Sequence, residues 1–238
     1  PPPRRVFLIE GSSQMYRAYH AIRALTGPDG QIAMIGDCDD GRLLIPSGYP
    51  GWDRTDYRYL LAIGTALFSR TDMKGVAGDS YTHLFWVLGQ KGVERFDLIS
   101  GERSVPGVTV LKDGGICVIR GEEQGDFAVM RTGTLVPYAP TGHLHNDALS
   151  VEIWIGGESV TIDPGMISYT SNPRARDEFR STLAHATVSL DGAEQHMFIS
   201  DVPFGLELQT RVELLEHWSD ESKFLVKAQA NWQNGGIH

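Results

Sequence analysis

TGHLHNDALSVEIWIGGESVTIDPG, residues 141–165, is the stretch whose reading decides the fold. Short apolar and β-branched runs are interrupted by Gly156-Gly157 and closed by Asp163-Pro164-Gly165. That pattern predicts two strands joined by a tight turn. If 143–155 is one extended strand, successive side chains alternate faces. His143, His145 and Asp147 then point one way, and Leu149, Val151, Ile153 and Ile155 continue that face as apolar residues. Polar groups would sit at the rim of a sheet whose other end is core.

The same texture extends in both directions from about residue 96. Segments 108–111, 116–119, 127–132, 148–155, 160–162, 187–190, 206–215 and 224–230 read as strands between Gly-Gly and Asp-Gly turns. Strands at this spacing predict a large antiparallel sandwich. The upstream part reads as helical. Ser12 or Ser13 caps a helix that stops at Gly27-Pro28, a second helix covers 57–69, and a third runs from Asp79-Ser80 to Gly89. Residues 36–50 read as loop. Helices first and strands second predict an α+β fold, with a helical region over 1–95 and a β-sandwich over 96–238. The last strand stops at Asn234-Gly235-Gly236, so the expectation is a sandwich truncated at its C-terminal end. The missing initiator Met suggests a processed product or a fragment.

The chain has 238 residues, a hydrophobic fraction of 41% and a net charge of −9. The first two values suit a folded protein rather than a disordered one. The third argues against nucleic acid, which needs clustered Lys and Arg. No apolar run reaches the length of a membrane span. An anionic ligand would need a local basic site, and Arg174, Arg176 and Arg180 are the candidates against an ordinary solvated surface. Cys38 and Cys117 have no metal-type spacing and are expected to be free and buried. The Gly36–Arg42 stretch lacks the ligand count of a calcium loop and reads as solvent-facing, or as braced by Asp–Arg pairing. Trp52, Trp86, Trp154 and Tyr138 either stack on sugars or pack in the core, with at least half expected in the core.

Imidazole and carboxylate are ligands for a divalent transition ion, and they also perform proton transfer. His145, Asp163 and His185 supply the three ligands that a zinc site with one open position wants. Each also has a plain structural reading: the histidines as rim residues, and Asp163 as the turn-former of Asp-Pro-Gly. Spacing alone does not bring the three together.

The segments TGHLHNDALSVEIWIGG (141–157), VTIDPGMISY (160–169) and DEFRSTLAHATVSLDGAEQ (177–195) resemble the heparinase II/III-like family of polysaccharide lyases in its β-sandwich domain. GQIAMIGDCDDGRL (30–43) and HLFWVLG (83–89) resemble the end of that family's helical toroid. The likeness covers roughly residues 10–200. It implies a partial α/α toroid followed by a sandwich, with an acidic polysaccharide bound between them. It also implies one structural Zn2+ held by His145, Asp163 and His185. His143 matches the position that faces substrate, and Tyr16, in the stretch after Glu10-Gly11-Ser12-Ser13, matches the catalytic tyrosine. Tyr169 is a weaker catalytic candidate. Arg180, Asn146 and Tyr19 are assigned to substrate binding. Two motif positions depart from the family pattern: His185-Ala186-Thr187 replaces His-Asn-Thr, and Met166 follows Asp163-Pro164-Gly165 in place of Thr. The family's upstream Asn-His segment has no counterpart in these residues.

The resulting expectation is a bacterial polysaccharide lyase, periplasmic or secreted, that cleaves a uronic-acid-containing glycan by β-elimination. The alternative is a non-catalytic glycan-binding or polysaccharide-assembly protein that keeps the zinc-bearing fold. A zinc hydrolase is a third reading. No nucleic acid and no membrane span are expected.

Overall fold

A computed structural model describes residues 4–37, 53, 55–79, 82–123, 125–133 and 143–232. In its first helix, side chains are described from Met15 onward. The chain divides into two compact units: Pro1–Ile32 with Asp40–Val105, and Ala33–Asp39 with Pro106–His238. Helices occupy the first and antiparallel sheets dominate the second, so the fold class is α+β.

In the first unit, α1 covers Arg4–Leu25, α2 Arg58–Phe68, α3 Thr71–Ala77 and α4 Thr82–Asp97. The core forms around α2, whose Leu61, Ala62, Ile63 and Ala66 are buried against Tyr19 of α1, Met73 and Ala77 of α3, and Leu84 and Phe96 of α4. Gly64 makes this packing possible, because a Cβ there would stand 2.8 Å from the Tyr19 ring. The second helix ends as its sequence predicts. Ser69 adopts the left-handed conformation at φ 53° and its N–H caps Thr65 O.

Three helical details differ from expectation. Helix α1 begins at Arg4, so Ser12 and Ser13 lie within it and not at its start. Gly89 does not end the third helix. It takes φ 66° and ψ −169°, the axis breaks there, and helix resumes to Asp97. Burial of Phe96 holds that second piece against the core. The seven-residue α3 is too short to show a period in the sequence.

In the second unit, strands β1 (Gly107–Leu111), β2 (Ile116–Arg120), β3 (Phe127–Arg131), β4 (Val151–Ile155) and β5 (Glu158–Thr161) form one antiparallel sheet in that order. Strands β6 (Met197–Phe198) and β7 (Leu206–Glu207) pair, as do β8 (Thr210–Ser219) and β9 (Phe224–Trp232). Ser219 Oγ accepts the Val108 N–H at 3.2 Å, tying β8 to β1. Cys117 is buried and free on β2; Cys38 lies outside the described residues.

The opening stretch is not one strand. Residues 143–150 are irregular, and Ser150 N–H bonds back to Asp147 O at 3.0 Å around Leu149 at φ 58°. Strand β4 starts only at Val151, and the turn resets which side chains share a face. Glu152 and Trp154 are buried, while Ile155 is 60% exposed, the reverse of the predicted face. Trp154 sits opposite Phe127 of β3 with ring centroids 5.2 Å apart. An indole buries more apolar area than an isoleucine side chain, which favours this face.

Residues 187–190 also form no strand. Their predicted turn is real: Asp191 and Gly192 take φ 53° and 74°, and Ala193 N–H bonds to Leu190 O at 2.9 Å. The arginine-rich segment folds as a short helix, α5 (Pro173–Phe179), capped by Asn172 with Pro173 at its start.

The reversed face has a direct test. Trp154→Ala should cost about 3–5 kcal/mol in urea unfolding. Ile155→Ala should cost less than about 1 kcal/mol. Had the sequence-derived face been correct, the order would be inverted.

Candidate metal centre

His145, Asp163 and His185 come from three separate segments of the second unit and meet. One ligand atom from each lies within 4.8 Å of the others. The His145, Asp163 and His185 residues are 0%, 9% and 7% exposed. No other group of this kind occurs among the described residues.

Local chain geometry explains each placement. The irregular 143–150 segment replaces a strand, so His145, Asn146 and Asp147 are all buried instead of alternating. Asp163 follows β5 and accepts Gly165 N–H at 2.9 Å, so it forms the turn and still presents Oδ2 inward. His185 ends a single 3-10 turn, Thr182–Ala184, and its Nδ1 lies 2.5 Å from Asp163 Oδ2. His145 Nε2 lies 2.6 Å from Asp37 Oδ1.

Each imidazole keeps one buried nitrogen, His145 Nδ1 and His185 Nε2, with no hydrogen-bond partner among the described residues. A buried polar atom left unsatisfied costs about 1–3 kcal/mol. Two imidazoles and a carboxylate, each with lone pairs to offer, fit a divalent transition ion.

A hydrogen-bonded frame surrounds the cluster. Glu194 Oε2 accepts from Asn146 Nδ2 at 2.7 Å, Thr182 N at 2.8 Å and Thr182 Oγ1 at 2.9 Å. That carboxylate joins the His145 segment to the turn that carries His185. Gln195 closes a second clamp, accepting Ala148 N–H at 2.8 Å and donating to Ala148 O at 3.0 Å. Arg180 is fully buried and donates to Leu144 O and Phe204 O, both at 3.0 Å.

A sequence profile for the C-terminal domain of heparinase II/III-like proteins matches residues 103–238. The chain belongs to the heparinase II/III-like family. Several solved structures share its fold. A heparinase III superposes with a TM-score of 0.57 at 12% identity, covering 95% of this chain and 33% of its own length. The heparan sulfate lyase HepC from Pedobacter heparinus gives 0.51 at 17%, covering 88% of this chain and 29% of its own. A further heparinase III gene product gives 0.52 at 15%, covering 89% and 29%. The chain therefore spans about a third or less of these proteins. No curated protein sequence matches it.

The residues that the heparinase II/III resemblance assigns to catalysis and substrate binding sit in different surroundings. Asn146 is buried and its Nδ2 donates to Glu194 Oε2 and to His196 O. Arg180 is enclosed and committed to backbone carbonyls. Arg176 is forked onto Asp177 at 2.8 and 3.1 Å, and Arg174 pairs with Glu178 at 2.9 Å, so these three do not form an open basic site. Tyr19 is 9% exposed in the helical core, where burial raises its phenol above the ordinary value. Tyr16 accepts Arg70 Nη1–H at 2.6 Å and stands edge-on to Phe68. Tyr169 is half-buried, with its ring 6.1 Å from Phe204. The His143 side chain is 72% exposed, with Nδ1 3.3 Å from Asp37 Oδ2. Trp154 is core and Trp86 is 63% exposed; Trp52 and Tyr138 lie outside the described residues.

The sequence reading missed Asp37, Glu194, Gln195 and His196. The last three follow the Asp191-Gly192 turn, Glu194 and Gln195 closing a quoted motif and His196 just beyond it, a polar triplet where a strand would alternate. His196 is buried, and its Nδ1 accepts Gln209 N–H at 3.0 Å and Thr210 N–H at 3.3 Å. Burial first, and Arg131 second, push its pKa down from 6.5 to about 4.

Arg180 gives one test. Its truncation strands two buried carbonyls, so Arg180→Ala should lower unfolding free energy by about 3 kcal/mol. A variant of unchanged stability with weakened glycan binding would restore the substrate role. His196 gives another. Above pH 6.5 it is neutral in both states and its contribution is complete. As pH falls towards 4, the unfolded chain takes a proton that the folded chain refuses, and about 3 kcal/mol is lost. The stability difference between wild type and His196→Gln should carry that slope, and a flat difference would contradict it.

Proposed function

We propose that this protein is part of a polysaccharide lyase that cleaves a uronic-acid-containing glycan by β-elimination. The observation that carries the reading is a fully exposed-to-buried pair two residues apart: His143 reaches solvent beside a buried donor cluster built from His145, Asp163 and His185. Family membership and the fold shared with proteins named heparinase III and heparan sulfate lyase support it.

In this proposal His145, Asp163 and His185 hold one zinc ion, which ties three segments together and adds positive charge to the wall of the site. β-Elimination needs a neutralised C5 carboxylate, a base for the C5 proton and an acid for the departing O4. In this reading His143 meets the first need or shares the proton transfer, and its exposed side chain supports that role. Its imidazole is the one histidine ring at the centre that solvent and a glycan can reach. Tyr16 and Tyr169 are the phenols proposed for the remaining proton work. Export to the periplasm or beyond is part of the same proposal; no described helix is long and apolar enough to cross a membrane.

A second reading is a glycan-binding protein without catalysis. The placement of the tyrosines favours it: Tyr19 is buried and Tyr16 is hydrogen-bonded to Arg70.

Incubation with heparan sulfate and alginate separates these readings. A lyase generates the ultraviolet absorbance of an unsaturated uronate, and His143→Ala should reduce it at least 100-fold while leaving the unfolding midpoint unchanged, in line with loss of a general acid–base group. Binding without that absorbance selects the non-catalytic reading. Cleavage without it selects hydrolysis.

A further inference from the structure

Asp37 lies 106 and 108 residues before the two histidines it touches. Its side chain is completely buried. Its two carboxylate oxygens divide between them: Oδ1 is 2.6 Å from His145 Nε2, and Oδ2 is 3.3 Å from His143 Nδ1. The backbone holds it in place, since Asp37 N–H bonds to His143 O at 3.2 Å. Gly36 makes this approach possible. It takes φ 61°, and a Cβ on it would stand 2.2 Å from that same His143 oxygen.

This contact decides the state of His145. A carboxylate accepts and does not donate, so Nε2 must carry the hydrogen. The lone pair is then left on Nδ1, the buried nitrogen that has no partner. The same argument applied to His143 puts a hydrogen on Nδ1 and leaves Nε2 as its free nitrogen. From these contacts we infer that Asp37 is the positioning residue of the centre. It fixes the tautomer and the orientation of His145 towards the metal, and it aims the exposed ring of His143 from the same carboxylate. One side chain thereby couples the metal wall to the group proposed to act on substrate. A carboxylate behind a ligating histidine also strengthens that ligand, and its loss commonly weakens metal binding 10–100-fold.

The inference rests on the metal reading above, and the test separates the two. Zinc affinity of the full chain is measured by chelator competition for wild type, Asp37→Ala and Asp37→Asn. A long-range 1H–15N spectrum of each protein before zinc is added reports the histidine tautomers. Wild type should bind one zinc with His145 protonated at Nε2. Asp37→Ala should bind 10–100-fold more weakly and lose the fixed tautomer. Asp37→Asn keeps the shape and one acceptor oxygen, so it should fold, retain the Nε2–H tautomer and recover part of the affinity. If Asp37→Ala does not fold, the Asn variant against wild type still decides the matter. Equal affinity and an unchanged spectrum in all three proteins would overturn the role of Asp37 and leave the metal reading standing. Wild type that binds no zinc would overturn both.

Discussion

The second unit is organised around the burial of three metal-type side chains in one place. A buried imidazole or carboxylate is costly unless its polar atoms are satisfied. His145, Asp163 and His185 therefore impose conditions on everything nearby. Glu194 holds the segments of His145 and His185 together. Arg180 anchors the carbonyl just before His145. Gln195 pins the backbone at Ala148, where the chain turns into β4. These groups form no hydrophobic core, yet they fix the relative positions of four chain segments. Among the described residues, one nitrogen on each of His145 and His185 stays unsatisfied at the centre of the frame, and so do Asn146 Oδ1 and Asp147 Oδ1 beside it.

His143 and His145 show how finely that frame sorts its residues. They are two positions apart, and on a strand they would share one environment. Here one side chain is 72% exposed and the other fully buried, because the chain at 143–150 is irregular. Side chains and distant backbone share the work of holding this irregular segment: Gln195 bonds both backbone groups of Ala148 and Arg180 the Leu144 carbonyl, while Asn146 N–H reaches Arg180 O and Leu149 N–H reaches Arg131 O. Exposure thus separates two histidines that both touch Asp37.

Much of the design was legible in the residues. Gly-Gly and Asp-Gly turns marked β1 to β5 closely, because turn chemistry is local. The helical periodicity of 57–69 gave α2 within a residue at each end. The grouping of His145, Asp163 and His185 was suggested by motif likeness, and the three residues do converge. Other features depend on distant partners and left no local mark. Asp37 pairs across more than a hundred residues, and nothing in its own neighbourhood distinguishes it from a loop aspartate. Arg180 looked like a surface cation within an arginine-rich stretch, but α5 and the 144 carbonyl enclose it. The β4 face was misread because the turn at Leu149 shifts parity, and a positive φ at leucine has no sequence signature. Gly89 was read as a stop, although helix resumes beyond it with Phe96 in the core.

The most direct measurement is anomalous X-ray diffraction at the zinc absorption edge from crystals of the purified protein. The account predicts a single strong peak bounded by His145, Asp163 and His185, with His145 turned so that Nδ1 faces it. A peak elsewhere, or none between these three side chains in protein supplied with zinc, would contradict it.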